Sequence, residues 1–244
     1  MPERVLVELV VAAPIETVWK ALREPAEIRR WFGWDYSQLV EEIDVMFVQG
    51  VTVDEANHVL SAPGMPDRFA LEPQGAQTIV RVIRSAPVTD EVWKGIYSEV
   101  SEGWLMFLQQ LKFVLERHPS AARRTVYLNG RAKSDGTLQP AQALGLAALD
   151  IVPVGERYAI NAATGESLEG TVWHRGAHQL GLTVDGYGDG LLILNARPRT
   201  ARSHHGGGSV TVTTYGLDDA AYERLRDGWK TWWAGTYEVI EMQP

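Results

Sequence analysis

His174 and His178 stand four residues apart, a spacing that on a helix brings two imidazoles to one metal ion. Their neighbours read as strand and turn, where four residues span about 13 Å, too far for one ion to bridge. No third histidine or carboxylate is placed to complete a site, so no metal is expected. Asp54, Glu55 and His58 form one compact polar group, and Asp185 with Tyr187 forms another. Either could act as a general acid or base if aimed into a cavity. His58, His174 and Asp185 are therefore the polar candidates. His204-His205 sits in an Arg-Ser-His-His-Gly-Gly-Gly stretch that reads as a solvated loop. The run Gly186-Tyr187-Gly188-Asp189-Gly190 lacks dinucleotide spacing, and a strand rather than a helix follows it, so it reads as a hairpin turn. No cofactor is expected. No serine or threonine lies in a nucleophile motif, and cysteine is absent.

Aromatic side chains are the other candidates. Tyr97–Glu116 reads YSEVSEGWLMFLQQLKFVLE, and Tyr222–Glu241 reads YERLRDGWKTWWAGTYEVIE. The two align without a gap on Tyr, Gly-Trp, Val and the closing Glu. A repeat of half the chain length indicates duplicated domains. Both stretches read as amphipathic helices. Trp104, Leu108, Leu111 and Leu115 form one stripe, with Tyr97, Val100 and Phe107 beside it. Trp229, Trp232, Trp233, Tyr237 and Ile240 form the other. Such a stripe either binds a helix to its sheet or lines a ligand cavity, which needs apolar walls with a few polar tips. On the second reading the wall candidates are Trp31, Phe32, Trp93, Tyr97, Trp104, Phe107, Leu108 and Leu111. In the second half they are Tyr222, Trp229, Trp232, Trp233 and Tyr237.

These residues need a scaffold. With 45% hydrophobic and 22% charged residues, the 244-residue chain has the composition of a globular protein, and each half is long enough to bury its own core. A net charge of −8 argues against nucleic-acid binding, which needs clustered Lys and Arg. No run reaches the roughly 18 apolar residues of a membrane span. Without cysteine, a cytoplasmic location is the default.

The alternating run Arg4–Ala12 predicts a strand. Pro14 and Glu16 open a helix carrying Val18, Trp19 and Leu22, and Pro25 opens a second that runs to Gly33. Ile43–Val48 and Val51–Val53 look strand-like, although Val40–Ile43 fits a helix too. His58–Ser61, Arg68–Leu71 and Thr78–Arg84 follow as strands, with a turn at Pro73-Gln74-Gly75. Thr89-Asp90-Glu91 is an N-terminal signal for the long helix, which His118-Pro119 stops. Residues 119–124, with Arg123-Arg124, read as a linker. In the second half Thr125–Leu128 is a strand and 138–149 a weak helix. Arg157–Asn161, Ser167–Trp173, Gln179–Val184, Leu191–Ala196 and Ser209–Tyr215 are strands, with a hairpin at Ala163-Thr164-Gly165. Asp218 and Asp219 cap the last helix.

The stretch Val10-Val11-Ala12-Ala13-Pro14-Ile15-Glu16-Thr17-Val18-Trp19-Lys20-Ala21-Leu22, followed by Glu24-Pro25 and Trp31-Phe32, resembles the START-like (SRPBCC) superfamily. It is similar to the branch named for the activator of the heat-shock-protein-90 ATPase. The resemblance implies an α+β helix-grip fold, an antiparallel sheet curved around a long C-terminal helix with a cavity between them. The second half lacks the Ala-Pro-x-Glu-x-Val-Trp pattern and is expected to be a diverged copy. Expected boundaries are 1–118 and 125–244. The function implied is binding of a small hydrophobic molecule, a lipid or aromatic, polyketide-like metabolite. The alternatives are a polyketide cyclase or aromatase acting by substrate positioning, and a chaperone-interacting protein.

Overall fold

A computed structural model describes residues 3–62, 66–84, 91–133, 139–199 and 206–239, with side chains described except at 91–99 and 239. The chain divides into two compact units, Met1–Ser120 and Ala121–Pro244.

In the N-terminal unit the elements run β1 (Arg4–Val11), α1 (Ile15–Arg23), α2 (Pro25–Ile28), α3 (Leu39–Phe47) and β2 (Thr52–Asp54). β3 (Val59–Ser61), β4 (Asp67–Gln74), β5 (Gln77–Arg84) and α4 (Glu91–Arg117) follow. Glu16 in the first turn of α1 and Lys20 and Arg23 in its last suit the helix dipole. The sheet is antiparallel, in the order β1-β5-β4-β3-β2. The helix α4 packs on it through Trp104, Leu108 and Leu111, which meet Val11, Leu60, Phe69, Val80 and Val82 in one core. Its C-terminal end is tied to β1. Lys112 Nζ donates to the Val10 carbonyl at 2.7 Å, and Glu116 Oε1 accepts the Ala12 N–H at 2.7 Å.

The C-terminal unit has β6 (Arg123–Ala132), α5 (Pro140–Ala143), a 3-10 turn (Ala147–Ile151), β7 (Arg157–Asn161), β8 (Ser167–Arg175) and β9 (Gln179–Val184). A second 3-10 turn (Asp185–Tyr187), β10 (Gly190–Arg197), β11 (Gly207–Tyr215), α6 (Asp219–Thr236) and β12 (Tyr237–Val239) complete it. Its sheet order is β12-β6-β11-β10-β9-β8-β7. Asp218 Oδ1 caps α6 by accepting from Ala221 N at 2.7 Å. Tyr222 beside that cap donates from its hydroxyl to the Thr125 carbonyl at 2.8 Å, and the Arg124 guanidinium lies 4.1 Å over its ring.

The two units share one topology. In each, the first strand pairs with the last strand before the closing helix, and the others follow in reverse order. Each closing helix also sends one buried indole N–H to the start of the penultimate strand. Trp104 Nε1 donates to Asp67 at 3.0 Å, and Trp229 Nε1 donates to Tyr187 at 2.9 Å, three residues before β10. Each unit is a helix grip.

Four local expectations are corrected. Residues 43–48 belong to the helix α3, not a strand. Ile43, Val45 and Phe47 alternate, but Leu39, Ile43 and Phe47, spaced by four, are the buried set, while Val45 is 57% exposed. The last helix stops at Thr236. Tyr237–Val239 form an edge strand on Gly130–Ala132, so Tyr237 leaves the helical stripe. The run Thr-Tyr-Glu-Val favours an extended chain once a free sheet edge is at hand. Arg123 and Arg124 open β6 instead of lying in a linker, paired with Tyr215 and Thr214. The weak helix expected over 138–149 shrinks to the single turn α5 and the 3-10 turn, broken between them at Gly145, where φ is 78°.

Candidate functional site

The aromatic residues named from the N-terminal half form a packed cluster. Phe32 meets Phe47 and Phe107 at 5.0 and 4.7 Å between centroids, and Trp31 meets Phe47 edge-to-face at 5.7 Å. Trp104 meets Phe69 at 5.1 Å and Phe107 at 6.1 Å. Trp31 is fully buried and gives its N–H to the Ala21 carbonyl at 2.8 Å. Leu108 and Leu111 are fully buried in the same core. Asp67 and Arg84 form a buried, two-pronged ion pair beside Trp104, with both contacts at 2.5 Å. The side chains of Trp93 and Tyr97 lie outside the described residues, as do Thr89-Asp90 and His204-His205.

His58 is half-buried in the N-terminal unit. Its ring meets Trp19 edge-to-face at 5.3 Å, and Nε2 lies 3.7 Å from Glu16. Asp185 is exposed and paired with Arg157 at 2.7 Å. His174 is buried, Nε2 being 3.3 Å from Gln179 Oε1. Its ring lies close against Gly181, where a Cβ would fall 2.0 Å from Nδ1. Burial holds its pKa down at about 4, against the opposing hydrogen bond to Gln179 Oε1, so the ring is neutral near pH 7. Trp229, Trp233 and Tyr237 are fully buried, and Trp232 and Tyr222 half-buried. Tyr237 stacks on Trp233 with centroids 4.0 Å apart.

A cleft of about 400 Å³ opens elsewhere in the C-terminal unit, between α6 and two turns of the sheet. Ala221, Leu225 and Gly228 supply its helix wall and Leu217 lines it just before the helix; Glu166 and Tyr187 face it from the turns. The hairpin turn at Gly165, with φ at 88°, places Glu166 there. The Tyr187 hydroxyl donates to Glu166 Oε2 at 3.0 Å, and Thr164 Oγ1 donates to the same oxygen at 3.2 Å. Trp229 Nε1 donates to the Tyr187 oxygen at 2.9 Å. A relay thus runs from the core under α6 to a half-buried carboxylate at the cleft. Desolvation raises the Glu166 pKa, against the lowering effect of its two hydrogen bonds, and burial likewise raises that of Tyr187. Arg224 lines the cleft from the exposed side of α6.

Among the described residues, none of those named as wall candidates lines this cleft. Trp229 reaches it through Tyr187, which the sequence had paired with Asp185. Glu166, Arg224 and Thr164 were missed. The cleft uses the face of α6 at Ala221, Leu225 and Gly228, whose small and apolar residues gave a fainter signal than the adjacent tryptophans.

Among the described residues, two further hollows are present. One, of about 420 Å³, lies in the N-terminal unit between α2 and α3, lined by Pro25, Ala26, Val40, Ile43 and Val48 with Arg29, Glu41 and Asp44. The other, of about 150 Å³, lies near α5 and the turn at Gly176–His178.

No protein-family model matches this sequence, and no curated protein does either. Among solved structures, the chain is similar to the di-domain ARO/CYC protein BexL from the BE-7585A biosynthetic pathway, at 15% identity over 100% of both chains and a TM-score of 0.36. It is similar to the di-domain ARO/CYC protein StfQ from the steffimycin biosynthetic pathway, at 11% identity over 93% of this chain and 88% of that one, with a TM-score of 0.32. The Aha1 dimer from Colwellia psychrerythraea matches at 24% identity over 48% of this chain and 98% of that one, with a TM-score of 0.34. Likeness at these levels transfers neither ligand nor activity. Among the described residues, no helix is long and apolar enough to cross a membrane.

Proposed function

We propose that the chain binds a small, largely apolar molecule in the C-terminal cleft, with the polar end of that molecule at Glu166. The observation that carries this reading is the cleft itself, a roomy hollow in which Leu217, Ala221 and Leu225 lie beside one carboxylate held by a relay from the core. Convergence of a few fixed polar groups on an apolar hollow is the usual form of a small-molecule site. The wider reading of the chain as two copies, 1–118 and 125–244, remains part of this proposal. The experiment is to fill the hollow. Gly228 is exposed, lies on the cleft wall, and a side chain there meets nothing within 4 Å. Native mass spectrometry with organic extraction should find a small molecule on the wild-type protein and lose it in Gly228→Phe. An equal load on both proteins contradicts the cleft as its site.

A protein partner on the N-terminal unit is the second reading. It rests on Val40, Val45 and Val48, which are 60%, 57% and 46% exposed along and beside the hollow of α2 and α3. If that patch docks the heat-shock-protein-90 chaperone, Val40→Glu abolishes stimulation of the chaperone's ATPase. A wild-type chain that fails to stimulate it disposes of the reading.

A further inference from the structure

Among the described residues, Glu166 receives hydrogen bonds on one oxygen, Oε2. An indole N–H is a donor with no acceptor capacity, so Trp229 gives its proton to the Tyr187 oxygen. The single hydroxyl proton of Tyr187 therefore goes to Glu166 Oε2, where Thr164 adds a second donor. Glu166 Oε1 has no donor among the described residues. Arg224, on the same cleft, makes no hydrogen bond or ion pair with any described residue. A carboxylate and a guanidinium thus line one cleft without neutralising each other.

We infer that the ligand is an amphiphile with two unlike polar ends, an O–H or N–H donor that meets Glu166 Oε1 and an anionic group that meets Arg224. Its apolar body rests on Leu217, Ala221 and Leu225. This rests on the cleft being the binding site proposed above. The chemistry of both ends is forced by valence. An ionised carboxylate only accepts, and a guanidinium only donates, with a fork that fits a carboxylate in two-pronged fashion. Partial desolvation strengthens the Glu166 contact, because water no longer competes fully for the open oxygen. A donor there favours the ionised form, so binding also releases any proton that the raised pKa retains at weakly acid pH.

Four probes that share a naphthalene body test this by calorimetry on the full chain. They are 6-hydroxy-2-naphthoate, 6-methoxy-2-naphthoate, 2-naphthol and 2-methoxynaphthalene. The hydroxy acid binds tightest. Glu166→Gln weakens the hydroxy acid and 2-naphthol about tenfold, the equivalent of one charge-assisted hydrogen bond, and leaves the two methoxy probes unchanged. Arg224→Gln weakens both acids about tenfold and leaves 2-naphthol unchanged. The fold survives both changes, because glutamine still accepts from Tyr187 and Arg224 bonds no described residue. Binding of all four probes with no dependence on either residue overturns the two-ended ligand but leaves the cleft as a site. Failure of every probe to bind, or binding that Gly228→Phe does not touch, overturns the site as well.

Discussion

Two desolvated titratable groups of the C-terminal unit, buried His174 and half-buried Glu166, respond to pH in opposite directions. His174 is held neutral by burial, with its pKa down from 6.5 to about 4. The unfolded chain therefore binds a proton that the folded chain refuses, and stability falls as the pH drops through that window. Relative to His174→Gln, the wild-type protein should lose about 3 kcal/mol between pH 7 and pH 4 in urea titrations. A parallel response of the two proteins contradicts the buried neutral ring. Glu166 behaves in reverse. Its folded pKa is raised, so its stabilising effect is present at acid pH and is lost as the pH rises through the raised value. The melting temperature of Glu166→Gln should therefore gain on that of the wild type as the pH rises from 4 to 7. A constant difference over that range denies the desolvation. His174 was legible as a residue type but not as a buried ring, because its burial depends on a glycine across the sheet. Glu166 was illegible for the same kind of reason. Nothing near it in sequence marks a carboxylate that a tyrosine 21 residues away will bond.

At the scale of elements, local pattern served where one period was present. Arg157–Asn161 and Gln179–Val184 begin and end where alternation and glycine turns place them. It failed where two periods fitted, as in α3, and where the chain had a sheet edge to join, as in β12. Glycine positions test these assignments. His174 faces Gly181 across the β8–β9 pair, at a point where the register shifts between Val172 and His174. Gly181→Ala should cost roughly 1–3 kcal/mol by overpacking, and His174→Ala in the same chain should recover much of it. Additive losses in the double-mutant cycle contradict that contact. Gly228 is the opposite case, an exposed glycine inside α6 with free space around it. Gly228→Ala should raise stability by roughly 0.5–1 kcal/mol through helix propensity, measured by thermal unfolding. A loss instead means that the cleft wall is tighter there than described.

On the scale of the whole molecule, both units carry the same strand order and the same kind of indole anchor, yet the polar interior differs. In the N-terminal unit Trp104 ends on a buried Asp67–Arg84 pair, which neutralises itself. In the C-terminal unit Trp229 ends, through Tyr187, on a carboxylate whose other oxygen is open to a cleft. The repeat made the shared architecture readable, since helix and sheet are set by patterns of apolar residues. What separates the units is a matter of which polar groups converge across turns, and the repeat says nothing of that. Small-molecule binding is proposed for the C-terminal unit, and hydrogen–deuterium exchange reads it directly. With 6-hydroxy-2-naphthoate at saturation, exchange should slow in peptides covering 164–187 and 217–229 and stay unchanged in peptides of the N-terminal unit. Slowing confined to the N-terminal unit, or none anywhere, would contradict it.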